Sequence, residues 1–139
     1  MKLSTRTEYA LLAMAQLARS EPGVYLRASD ISGARRIPHK YLEQILLSLK
    51  QARLLRSRKG RQGGYRLARP AKDISLAEIV RRLDGALAPT ESVSRYFYEP
   101  TPIEGERRLL DVFREIRDHI AAKLEGTSLA DISGPEEAS

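Results

Sequence analysis

The stretch LRSRKGRQGGYRLARP, Leu55 to Pro70, holds six basic residues, three glycines and no acid. Guanidinium and ammonium groups at that density suit charge-assisted hydrogen bonds to phosphate. Its two edges, LLRSRK and YRLA, read as strands of a β-hairpin whose tip is Gly60 to Gly64. Arg58, Lys59 and Arg61 are then suited to phosphates or to a narrow minor groove. Gly60, Gly63 and Gly64 let the backbone take positive φ and approach a surface closely. A second set of side chains sits upstream in IPHKYLEQ. There Gln44 has the amide that pairs bidentately with adenine, while Glu43 either accepts from a cytosine amino group or orients an arginine. Pro38 and His39 lie at the mouth of the major groove that this segment would enter, where His39 either donates to a base or phosphate or is simply exposed. Lys40 is expected at a phosphate. Tyr41 either places its hydroxyl on the backbone or packs with a polar tip.

Other chemistries find little support. The chain has no cysteine, which excludes disulfides, thiol nucleophiles and thiolate-held metal or iron–sulfur sites. No glycine-rich nucleotide loop, nucleophile elbow or paired-histidine helix is present, so an enzyme is not expected. The two histidines, His39 and His119, lie far apart, and no metal site or other cofactor is predicted.

The charge distribution agrees with a polyanionic partner. Net charge is +6 over 139 residues, with a pI near 9.8. Between Arg35 and Lys72 stand 12 basic residues and one acid, Glu43, so the excess is concentrated in one segment while the remainder is net acidic. Composition is that of a globular chain, 42% hydrophobic and 30% charged. The apolar runs are too short to span a bilayer and no signal-peptide core follows the amino terminus, which makes the cytoplasm the expected compartment.

Periodicity supplies the elements that position these groups. STRTEYALLAMAQLAR predicts a first helix, with Thr5 and Glu8 at capping-box spacing and an apolar stripe of Ala10, Leu11, Met14, Leu17 and Ala18. A short helix is expected in RASDISGARR. The next opens with Pro38 in its first turn and turns Leu42, Ile45, Leu46 and Leu49 to the core. Short helix, turn, second helix and basic hairpin is the order of a winged helix-turn-helix, with the hairpin as the wing. SLAEIVRRLDG predicts a further helix, capped by Ser75 and Glu78 and stopped by Gly85. A proline-rich loop leads to a long helix whose stripe is Leu109, Val112, Phe113, Ile116, Ile120 and Leu124. That stripe either forms a homodimer or folds back on its own core. In the loop, Tyr96, Phe97 and Tyr98 either line a pocket for an effector or cover apolar surface.

The fold class expected is therefore mainly α with a small β-hairpin wing, a winged helix-turn-helix domain plus a long C-terminal dimerisation helix. Its divisions are 1–85 for the DNA-binding domain, 86–103 for a connecting loop, 104–132 for the dimerisation helix and last turn, and 133–139 for a disordered tail.

Five motifs in order resemble the Rrf2 family of bacterial transcription regulators: MKLSTRTEYAL, YLEQIL, GGYRLARP, ISLAEIVRRLDGALAP and LEGTSLADI. The resemblance covers about Met1 to Ile132. It implies a homodimeric regulator, a repressor by expectation, that places the third helix and wing on an inverted-repeat operator in double-stranded DNA. Many members carry three cysteines after the LAP segment that hold an iron–sulfur cluster. Here Ser92 stands about where the first would fall, with Tyr98 and Glu104 near the others, and Glu8 lies where some relatives supply a carboxylate ligand. The chain thus resembles the cysteine-free branch, whose members respond through other signals; for this chain a small-molecule effector, a protein effector and no effector at all stay open. Two competing readings are an RNA-binding winged helix, for which the basic segment offers only Tyr41 and Tyr65 as stacking rings, and a module whose basic face binds an acidic protein.

Overall fold

The computed structural model describes residues 1–134. Its order is α1 (Thr5–Arg19), α2 (Ala28–Arg35), α3 (His39–Gln51), β1 (Leu55–Arg58), β2 (Gly64–Leu67), α4 (Leu76–Asp84), α5 (Arg107–Glu125) and α6 (Leu129–Ser133). Single 3-10 turns occupy Ala71–Asp73 and Glu91–Val93. This is a mainly helical winged helix-turn-helix with one antiparallel hairpin, as expected. The predicted tail begins inside α6 at Ser133, and the remainder, 135–139, lies outside the described residues.

One core joins the elements that carry the basic segment. Met14 of α1, Ile31 of α2 and Leu42, Ile45, Leu46 and Leu49 of α3 are buried together with Ile79 of α4. The i, i+3, i+4, i+7 spacing of the α3 leucines and isoleucine leaves its opposite face to solvent. Leu129 of α6 is fully buried in the same cluster, so the chain's last helix returns to the first. Pairing of Ser75 with Ser128, with Leu129 N donating to Ile74 O at 2.9 Å, fixes that return.

The start of α1 differs from the expected capping box. Ser4, not Thr5, is the N-cap, and its Oγ accepts from Thr7 N at 3.2 Å. The carboxylate that completes the cap is Asp84, from the far end of α4. Its Oδ2 accepts from Ser4 N at 3.0 Å and its Oδ1 from Ser4 Oγ at 2.7 Å. Glu8 is exposed and takes no part in the cap. Pro38 likewise sits one place earlier than predicted, as the N-cap of α3. The box at Ser75 and Glu78 forms as expected.

Burial alone pushes the Asp84 carboxyl up, but the hydrogen bonds from Ser4 and Thr7 and the charge of Arg6 outweigh it and hold the group below its ordinary value of 3.8. A depressed folded-state pKa contributes stability at pH values above the ordinary one, and that contribution disappears as pH falls through the folded value. Asp84→Asn is therefore expected to lower Tm at pH 7 and to flatten the acid limb of a Tm-against-pH series below pH 4. Parallel curves for the two proteins would show that Asp84 does not link α1 to α4.

Candidate nucleic-acid interface

The exposed face of α3 carries His39, Lys40, Tyr41, Glu43 and Gln44. One turn apart, His39 Nε2 and Glu43 Oε1 meet at 2.9 Å, so each orients the other in the free protein. The Tyr41 and Tyr9 rings pack in a T-shape, with centroids 5.6 Å apart and planes at 82°, and Tyr41 stays 40% exposed. Among the described residues, Lys40 and Gln44 have no side-chain hydrogen bond or ion pair and are free to meet a ligand.

The wing follows directly. β1 pairs with β2 in the register Leu55↔Leu67, Arg56↔Arg66, Ser57↔Tyr65 and Arg58↔Gly64. Alternation along the strands sends Leu55 and Leu67 to the core side and the arginines to the other. The hairpin is joined to the body by a third segment, the α1–α2 loop. Leu26 N donates to Tyr65 O at 2.9 Å and Tyr65 N to Leu26 O at 2.7 Å, which adds a one-residue bridge at the edge of β2. Gly64 permits that approach: at φ +141° a Cβ there would lie 2.2 Å from Leu26 O. At the tip, Gly60 takes φ +102°, and Lys59, Gly60 and Arg61 are exposed.

Two contacts that hold the wing were not legible in the sequence. Tyr25 receives the Arg58 guanidinium over its ring at 4.3 Å, while Arg58 donates to Gln62 O at 3.0 Å across the turn. The Arg27 guanidinium donates to the carbonyl of Arg61. Both join residues far apart in the chain, and local spacing carries no signal for such pairs. Their effect is to fix the direction in which the wing presents its charge relative to α3.

The remaining candidates divide. On α5, Leu109, Val112 and Ile116 are 38%, 52% and 41% exposed and form a continuous apolar strip at i, i+3, i+7. Phe113, by contrast, packs beside Val93 and Leu110, and Ile120 and Leu124 pack on Ala77, Val80 and Leu87 of their own chain. Tyr96, Phe97 and Tyr98 are 66%, 46% and 53% exposed. The crevice between Tyr96 and Phe97 has a volume of about 10 Å³, room for one water, while Phe97 also borders an open groove of about 440 Å³ with Ala88, Glu91 and Glu99. The Arg81 guanidinium lies 5.1 Å over the Tyr96 ring.

An iron–sulfur cluster calls for thiolate donors, and the sequence holds no cysteine to supply them. Ser92 is buried and hydrogen-bonded to Thr101, whose N also donates to Ser92 Oγ at 3.0 Å. Tyr98 donates its hydroxyl to Glu104 at 2.5 Å. That bond holds the Glu104 carboxyl below its ordinary range and pushes the Tyr98 hydroxyl up. Hydroxyl and carboxylate oxygens already engaged with one another do not fit a group that needs thiolate ligands. Among the described residues, no group of three or more histidines and acids is placed to hold a metal ion, and no helix is long and apolar enough to cross a membrane.

Comparison with known proteins agrees with this geometry. A family model for Rrf2, described as "Iron-dependent Transcriptional regulator", matches residues 3–135. Rv1287 of Mycobacterium tuberculosis is 40% identical over 135 residues, spanning 96% of this chain and 82% of that protein. The solved structure of CymR, the global cysteine regulator of Bacillus subtilis, superposes with a TM-score of 0.83 at 28% identity, covering 96% of each chain. A second, IscR of T. potens, gives 0.74 at 29% identity over 95% of this chain and 85% of that one. A basic wing pinned beside an exposed helix, on a fold shared from end to end with named regulators, has one reading: the chain belongs to the Rrf2 family of DNA-binding transcriptional regulators, not to an enzyme family.

Proposed function

We propose that this protein is a repressor that binds an inverted-repeat operator as a homodimer and does so without an iron–sulfur cluster. The observation that carries the reading is the wing. It is fixed to the body by Leu26, Tyr25 and Arg27, and it leaves Lys59 and Arg61 exposed at its tip while Lys40 and Gln44 are exposed and unpaired on α3. A fixed spacing between helix and wing is what reading one half-site requires. Gln44, Glu43 and His39 are the base-reading set, and Lys40, Arg58, Lys59 and Arg61 the phosphate and minor-groove set, with Pro38 and Gly60 shaping the backbone at each.

The homodimer rests on the strip of Leu109, Val112 and Ile116, apolar side chains that their own chain leaves uncovered. A two-fold axis through α5 would bring two copies of α3 to two half-sites. Val112→Glu is expected to give a folded monomer with at least tenfold weaker binding to the full operator. Sedimentation checks the first and titration the second; a dimer that survives the substitution removes the strip from the interface. The regulatory sign is tested by deleting the gene. Transcripts adjoining bound sites should rise, and a fall would make the protein an activator.

A further inference from the structure

On the hairpin face turned from the core, Arg56 and Arg66 stand directly opposite one another across β1 and β2. Like charges in that relation destabilise a hairpin. Among the described residues neither has an acidic partner. Arg66 lies over the Tyr25 ring at 5.0 Å, the same ring that holds Arg58, and its Nε is shielded and unpaired. Lys50 from the end of α3, Arg53 from the turn after it and Arg69 complete an open cleft of about 580 Å³ with these residues. Of its five cations only Arg69 is neutralised, by Glu78 at 2.8 Å.

Arg53 adds a second, independent mark. It follows the C-cap of α3 in a Schellman motif, donating to Lys50 O at 2.9 Å while Leu54 N donates to Leu49 O at 3.0 Å. Its φ is 62°, the left-handed conformation in which glycine is favoured and a side chain is disfavoured. A strained arginine, a repelling arginine pair and four cations without an acidic partner among the described residues converge on one cleft, and a phosphate chain would neutralise that charge.

We propose that this cleft binds the phosphate backbone of duplex DNA outside the base pairs that α3 reads. The duplex is the occupant the geometry favours, because the cleft continues two elements already facing it. Lys50 shares α3 with Gln44, and Arg56 shares a strand face with Arg58. The inference rests on the operator-binding reading and adds Lys50, Arg53, Arg56 and Arg66 to its phosphate contacts.

The test uses the full-length protein and the operator recovered by selection, in two lengths: trimmed to the inverted repeat, and extended by about ten base pairs, one helical turn, on each side. Wild type is expected to bind the extended duplex more tightly and with a steeper salt dependence. Arg53→Gly and Arg56→Gln should each lower the slope of log K against log salt by about one per subunit on the extended duplex, and much less on the trimmed one. Both should leave Tm unchanged or raise it, since each removes strain or repulsion. That separates lost contact from lost fold. Variants whose slope on the extended duplex equals that of wild type would overturn the cleft while leaving the operator reading intact. Wild type that binds the inverted repeat no better than random duplex would overturn both.

Discussion

Gly64→Ala is expected to lower Tm by roughly 5–15 °C and to weaken DNA binding by about tenfold or more. The added Cβ would lie 2.2 Å from Leu26 O and 2.5 Å from Leu26 C, both backbone atoms, at a φ of +141° that side chains rarely adopt. Neither neighbour can swing aside as a side chain could. The chain must open the Leu26–Tyr65 bridge, forfeiting two hydrogen bonds of about 0.5–1.5 kcal/mol each, on top of about 1–3 kcal/mol of backbone strain. With the bridge open, β2 no longer sits against the α1–α2 loop, and the stack of Arg58 on Tyr25 loses its support. Gly33→Ala is the contrasting control. Nothing lies within 4 Å of a Cβ there, and the position is inside α2. It is expected to stabilise by about 0.4–1 kcal/mol. Thermal melts read both signs, and an unchanged Tm for Gly64→Ala would show that the bridge does not hold the wing.

Gln44→Ala is expected to relax preference at one operator base pair by about 1–3 kcal/mol while leaving affinity for random duplex nearly constant. Gln44 is exposed, has no partner among the described residues, and lies one turn beyond Lys40 on the solvent face of α3. Lys40→Ala should behave differently, weakening all duplexes alike and reducing the salt slope by about one per subunit. The pair is read by titrating each variant against the operator and its single-base substitutions. Equal losses for Gln44→Ala on operator and random duplex would remove it from the base-reading set.

Much of the site was legible because its elements are built from local spacing. Leu42, Ile45, Leu46 and Leu49 recur at helical intervals, so the opposite face of α3 could be named before the fold was seen. The hairpin followed from glycines between two alternating runs, and the Ser75–Glu78 box from a three-residue offset. What stayed hidden depends on distant pairs. The cap of α1 borrows its carboxylate from Asp84, 80 residues away, so the nearest glutamate was the wrong partner. Tyr25 and Arg27 carry no local mark of the arginine and carbonyl they meet. The six apolar residues of α5 look alike in sequence, yet α4 and the preceding loop cover three and leave three exposed. Periodicity gives a face but not what lies against it.

The central claim, that α3 and the wing of two subunits read an operator, is tested most directly by selection from a random duplex pool. The winners should then be titrated at two salt concentrations. The account predicts an inverted repeat with half-site centres about one helical turn or a multiple apart, bound at least about a thousandfold more tightly than random duplex at the higher salt. Enrichment of no sequence, with binding that vanishes as salt rises, would contradict it and reduce the basic segment to a charge patch.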